Sequence, residues 1–231
     1  MHTEVCANTL KIYLFFLFIS LFAVLGCGLD VDFGGGTEDD DVEKNEVIEG
    51  SIDEVDLPDI SENPSLVVKA YVVKNDTLEC CKDTTLENDR FYIEGNLDPK
   101  AELRIFEGEN EDHLLGTITV PVFPGAMIYI PDITIDGGPP EYKDIDVIFE
   151  GQVASKNCVS DTSRSGSIKV EISSESRETE VTVNLTSATT IERGDDEDNL
   201  PCEEVVEGRK VEVDGKLRIG ETVDAESIKI L

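Results

Sequence analysis

An all-β chain is predicted by three features of the sequence. Apolar and polar residues alternate at period two through most of the chain after Pro64, and turn residues interrupt that alternation at short intervals. No stretch of a dozen residues carries apolar positions at helical spacing. Several short strands at regular spacing are the pattern of a sandwich or a barrel. Composition narrows the function classes. The 231 residues include 51 Asp or Glu against 19 Lys or Arg, a formal net charge of −32, which repels phosphate and excludes nucleic acid as a partner. Two His, no Trp and 6% aromatic residues leave little material for catalysis, while 39% apolar residues suffice for small cores.

The N-terminal residues read as an address. Residues 12 to 25 carry no charge, follow Lys11 and precede Gly26-Cys27-Gly28. Fourteen residues rise roughly 21 Å as a helix, short of the ~30 Å core of a bilayer, and match the apolar region of a secretory signal peptide. Val24-Leu25-Gly26-Cys27 resembles the bacterial lipobox, in which small residues precede an invariant Cys. That resemblance implies a signal peptide over 1–26, cleavage before Cys27, a diacylglycerol thioether on its sulfur and an acylated amine. Three acyl chains at roughly 0.8 kcal/mol per buried methylene give a lasting membrane anchor. Gly28 stands where an Asp retains lipoproteins of enteric bacteria in the inner membrane, so the outer membrane is expected in a cell that has two. Leu25 is larger than the usual lipobox residue, and Glu4 sits in a weakly basic leader.

Residues 27–63 are expected to be an acidic, disordered tether. From Gly28 to Asn63 there are fourteen Asp or Glu and one Lys, around Gly34-Gly35-Gly36 and Glu38-Asp39-Asp40-Asp41. Low hydrophobicity with one sign of charge does not offset the entropy of ordering. Its expected role is a spacer from the lipid surface, about 30–36 Å across as a coil. Calcium is the competing reading for Asp30, Asp32 and Asp39 to Asp41, but no EF-hand loop is present. Val47, Ile48, Ile52, Val55 and Leu57 could supply one short strand docking on the folded part of the chain.

The folded part is expected to divide at Asp136-Gly137-Gly138-Pro139-Pro140, giving a domain over 64–138 and another over 143–231. In the first, Val68, Ala70 and Val72 alternate, as do Phe91 and Ile93, Leu103 and Ile105, Ile118 and Val120, and Ile128 and Ile130. The segments Phe91 to Gly95, Pro99 to Phe106 and Leu114 to Thr117 resemble bacterial immunoglobulin-like domains, although Lys100 replaces the turn Gly. The resemblance implies a β-sandwich acting as a spacer or binding module. In the second, Ile168, Val170 and Ile172 alternate, as do Val181, Val183 and Leu185, with 173–178 as the turn between them. Gly208 to Gly215, Val223 to Ile230, Thr189-Thr190-Ile191 and Gly151-Gln152-Val153 resemble a family of small bacterial envelope domains of uncharacterised function. That resemblance implies an OB-like β-barrel and carries no activity. Its solvent-facing Glu171, Glu180, Glu212 and Asp214 lack the basic platforms of an oligonucleotide site.

Few constellations could carry chemistry, and no catalytic residue, metal site or cofactor is expected. Cys6 leaves with the signal and Cys27 is lipidated, so Cys80, Cys81, Cys158 and Cys202 remain in an exported chain where disulfides persist. Three connectivities are open. Cys158 with Cys202 is favoured because both fall within 143–231, and a vicinal Cys80–Cys81 bridge is strained. No C-x-x-C or neighbouring His suggests zinc. His113 follows Asn110-Glu111-Asp112 and reads as a solvated loop residue; Asp195 to Asn199 is an acidic loop with weak calcium potential. The reading is a lipid-anchored cell-envelope protein with a non-catalytic binding or structural role, its partner an envelope protein or polysaccharide. A calcium-dependent adhesion module, and an accessory hydrolase or carbohydrate-active protein using acidic residues, are the alternatives.

Overall fold

Alternation becomes strand wherever it occurs. The structure is a computed structural model that describes residues 45–55, 65–74, 77–97, 99–108, 113–173, 177–194, 199–218, 220 and 222–231. Among the described residues the chain forms thirteen strands and a short 3-10 turn, Cys202–Glu204, so it is all-β as expected. The strands are β1 (Glu46–Val55), β2 (Leu66–Lys74), β3 (Thr77–Thr85), β4 (Arg90–Gly95), β5 (Lys100–Glu107), β6 (His113–Pro121) and β7 (Met127–Ile135). They continue with β8 (Ile145–Cys158), β9 (Gly166–Ser173), β10 (Glu178–Leu185), β11 (Thr190–Arg193), β12 (Lys210–Arg218) and β13 (Thr222–Ile230). β4 shows the rule: Phe91, Ile93 and Gly95 are buried between exposed Arg90, Tyr92 and Glu94.

Two sheets result. One has four strands in the order β3-β2-β5-β6. The other runs β11-β13-β10-β9-β8-β7-β1-β4, with β12 bonded to both β13 and β8. Within it five strands return on themselves. β8 pairs with β9 and β12, β9 with β10, β10 in parallel with β13, and β13 with β12. The turn between β3 and β4, closed by a bridge between Glu87 and Arg90, carries the chain from one sheet to the other. Asn88 and Asp89 take the left-handed backbone there, with φ of 53° and 62°, as a two-residue hairpin turn requires.

The expectation of a disordered tether over 27–63 is corrected at Glu46–Val55, which is the strand β1, as the expected docking strand of Val47, Ile48, Ile52 and Val55 required. It lies inside the larger sheet, antiparallel to β4 and parallel to β7, with Ile48 and Ile52 buried. Glu46 is also buried, 6% exposed. Its two carboxyl oxygens accept backbone N–H groups from Leu97 at 2.8 Å and Gly125 at 3.2 Å. Two donors offset the desolvation that otherwise keeps such a residue outside. Leu57, Cys27 and the acidic run ahead of Asn45 lie outside the described residues.

The turn at Gly137–Pro140 separates the strand groups in sequence, yet the groups share a sheet and a core. β7 pairs with β8 through Met127↔Ile148, Ile128↔Val147 and Tyr129↔Asp146. Buried residues from both sides form one cluster. Phe123, in the turn before β7, meets Phe149 of β8 edge to face with ring centroids 5.5 Å apart. Pro140 lies against β6 so closely that a Cβ on Gly116 would stand 2.3 Å from its Cγ. The linker is packed, and all the described residues fall in one compact unit.

Candidate functional site

Directly paired residues on neighbouring strands project from the same face of a sheet. Across β4, β1, β7 and β8 one such row reads Tyr92, Glu49, Tyr129, Asp146. The adjacent row reads Glu94, Val47, Met127, Ile148, and continues to Asp214 on β12. The intervening Ile48, Ile93, Ile128 and Val147 fill the core, so these rows form the sheet's outer face. Tyr92 is 51% exposed, Met127 47% and Ile148 38%, which makes an aromatic and aliphatic strip rimmed by carboxylates.

At the β4 end the face is concave. A recess of about 320 Å³ is lined by Glu49, Thr84, Glu87, Arg90, Tyr92 and Tyr129. Gly50 shapes it from beneath: a Cβ there would stand 2.4 Å from Phe91 Cζ and 2.8 Å from the Ile130 carbonyl oxygen, so only glycine lets Phe91 close over β1. Tyr92 donates to Glu94 at 3.1 Å, and Asn45 donates to the other oxygen of that carboxylate at 3.2 Å. Desolvation, then the Glu94 hydrogen bond and the charges of Glu94 and Glu49, hold the Tyr92 phenol above its ordinary pKa and keep it a donor.

Beyond Ile148 the same face becomes a charged network. Lys216 lies between Asp146 and Glu226, and Arg218 binds Asp144 and Asp224, each at 2.8 Å. Burial, then the charges of Glu226 and Asp146, hold the Asp214 carboxyl above its ordinary value against an opposing pull from Lys216. Its proton is therefore taken up at higher pH in the folded chain than in the unfolded one, and this group's contribution to stability falls as pH rises through the raised value. Asp214→Asn is expected to raise the melting midpoint at neutral pH by the equivalent of less than about 1 kcal/mol at this solvent-screened position. The gain fades as pH falls through the raised value and is gone below the ordinary carboxylate range. An unchanged or lower midpoint at neutral pH overturns this expectation. Asp224 behaves oppositely. Hydrogen bonds from Asn184 and then Arg218 hold its carboxyl low, so its contribution is present above the ordinary value and is lost as pH falls through the lowered one.

Of the residues singled out in the sequence, Cys158 and Cys202 are joined in a disulfide, with Cα atoms 5.7 Å apart. It ties the end of β8 to the 3-10 turn, where Cys202 is fully buried and its N–H donates to the Ser163 carbonyl at 2.8 Å. His113 opens β6 and is half exposed, its Nδ1 2.9 Å from Glu107 across the β5–β6 hairpin. Cys27, the side chains of Cys80 and Cys81, and Asp195 to Asp198 lie outside the described residues. No group of three or more His, Cys, Asp or Glu among the described residues is arranged to hold a metal ion.

Sequence reasoning did not single out Tyr92, Glu49, Tyr129, Met127 or Ile148. A signal was present: Tyr92, Met127, Tyr129 and Ile148 are large residues on the phase that alternation reserves for polar groups. A scan against protein-family models finds no match, and searches of curated proteins and of solved structures return no similar chain.

Proposed function

We propose that this chain is a lipid-anchored protein of the cell envelope whose ordered part has a non-catalytic binding or structural role. The observation that carries the binding role is the exposed strip of Tyr92, Met127 and Ile148 on the outer face of a continuous sheet. Apolar side chains held in the open on rigid strands suit recognition of a partner. β1, β4 and β7 in one sheet and β2, β3, β5 and β6 in the other support an immunoglobulin-like sandwich. Numbered within the ring, β8, β9, β10, β12 and β13 follow the order 1-2-3-5-4-1 with strands 3 and 5 parallel, which supports an OB-like barrel. An electronegative surface makes a nucleic-acid role for that barrel unfavourable.

The anchor rests on the lipobox-like Val24-Leu25-Gly26-Cys27, and Gly28 favours the outer membrane in a cell with two membranes. Cys27→Ser is expected to move the protein from the membrane fraction to the soluble one and to abolish incorporation of labelled palmitate. A variant that stays membrane-bound and uncleaved overturns the lipid anchor in favour of a spanning segment.

A further inference from the structure

The recess on β4, β1 and β7 has a composition that selects among ligands. Tyr92 and Tyr129 stand two strands apart in one row, about 9.5 Å at the usual strand spacing. Glu49 lies between them, and Arg90, Glu87 and Thr84 complete the rim. The polar groups include acceptors, the two carboxylates, and a strong donor, the guanidinium. An anion meets Glu49, Glu87 and a chain of net charge −32, whereas a simple cation meets Arg90 and leaves that donor unused. A neutral polyol uses both kinds, because each hydroxyl donates and accepts. Two aromatic faces flanking the carboxylate provide stacking surfaces for the C–H faces of sugar rings, at a separation comparable with a disaccharide. The volume, about 320 Å³, is at the small end of ligand sites and admits part of a chain rather than enclosing it.

We infer that this recess binds a neutral oligosaccharide, its sugar rings stacked on Tyr92 and Tyr129 and its hydroxyls shared between Glu49 and Arg90. The inference rests on the binding role proposed above and names its ligand class. Binding is non-covalent and leaves the sugar unchanged. Glu94 acts as a positioning residue, since its hydrogen bond fixes the Tyr92 ring.

The test uses the full-length lipidated protein in phospholipid vesicles and a panel of neutral oligosaccharides of glucose, galactose, mannose, xylose and N-acetylglucosamine, with a uronic-acid oligosaccharide of equal length. The lipidated chain, cleaved before Cys27, keeps four of the five Tyr and has no Trp, and two of those four line the recess, so tyrosine emission responds to binding and calorimetry gives the affinity. Saturable binding of a neutral member, absent for the uronic acid, is expected. Tyr92→Ala with Tyr129→Ala should weaken it about tenfold or more, as central aromatic contacts do. Tyr92→Phe keeps the stacking ring and loses the hydrogen bond by which Glu94 positions it, so it should weaken binding, but less than the double alanine variant. A melting midpoint equal to wild type accompanies a valid loss; Glu49→Gln serves in its place if the double variant is destabilised, and is expected to weaken binding too. No saturable binding by any neutral member up to about 10 mM, preference for the uronic acid, or undiminished binding by folded variants overturns the inference. A chain anchored through Cys27 that ignores every sugar leaves the envelope reading intact and removes only this ligand.

Discussion

Phe149→Ala is expected to destabilise the whole ordered body by about 3–5 kcal/mol, the cost of truncating a buried Phe that its neighbours cannot fully replace. Phe149 is 1% exposed and meets Phe123, which belongs to the other strand group. The lost contacts therefore lie on both sides of the packed linker. At about 2–4 °C per kcal/mol for a body of this size, the melting midpoint drops roughly 6–20 °C. Because the two groups share a sheet and one buried cluster, the variant and the wild type should each melt in a single calorimetric transition. Two resolved transitions, with only the later strand group shifted by the substitution, would show the groups to be independent.

The second large effect concerns the disulfide. Cys158 and Cys202 are 44 residues apart, and closing such a loop constrains the unfolded chain by about 4 kcal/mol in the entropy model. Replacing both with Ser, or adding reductant, is expected to cost about 2–4 kcal/mol, since strain and residual structure reduce the ideal value. Burial of Cys202 within the 3-10 turn adds to this, because a serine hydroxyl there needs a partner. Midpoints in the presence and absence of reductant measure the effect, and non-reducing peptide mapping checks the pairing. A reduced chain that melts at the oxidised temperature contradicts this expectation.

Local alternation made most strands legible. Val68, Ala70 and Val72, or Val181, Val183 and Leu185, declare a buried face within a single strand and need no distant partner to be read. The Cys158–Cys202 pairing was legible for a similar reason, since both residues were assigned to one segment. What escaped depends on long-range register. Glu46 stands in an acidic stretch whose composition argues for disorder, and only backbone donors 51 and 79 residues away permit its burial. The row Tyr92, Glu49, Tyr129 exists because β1 runs antiparallel to one neighbour and parallel to the other. Shifting any of those pairings by one residue would turn the row inward, and nothing in the local sequence sets that register. The division at Gly137–Pro140 was read from turn chemistry, which marks where the chain reverses but carries no information on Pro140 packing against Gly116 or on β7 pairing with β8.

β1 also determines how the body answers mechanical load. It is the first described strand, and it lies in the plane of the sheet between β4 and β7. A pull applied along the axis of β1 meets ladder hydrogen bonds that stand across that axis towards β4 and slant across it towards β7. The bonds on both flanks are then loaded together in shear, so the strand must slide as a unit before any row releases. Peeling, in which bonds fail one at a time, is not the geometry offered. Through β7 the same tension passes into β8 and from there into the five-strand ring. Glu46–Val55, whose charge suggested a slack leash, is thus gripped from both flanks, and axial load on it is shared between two ladders.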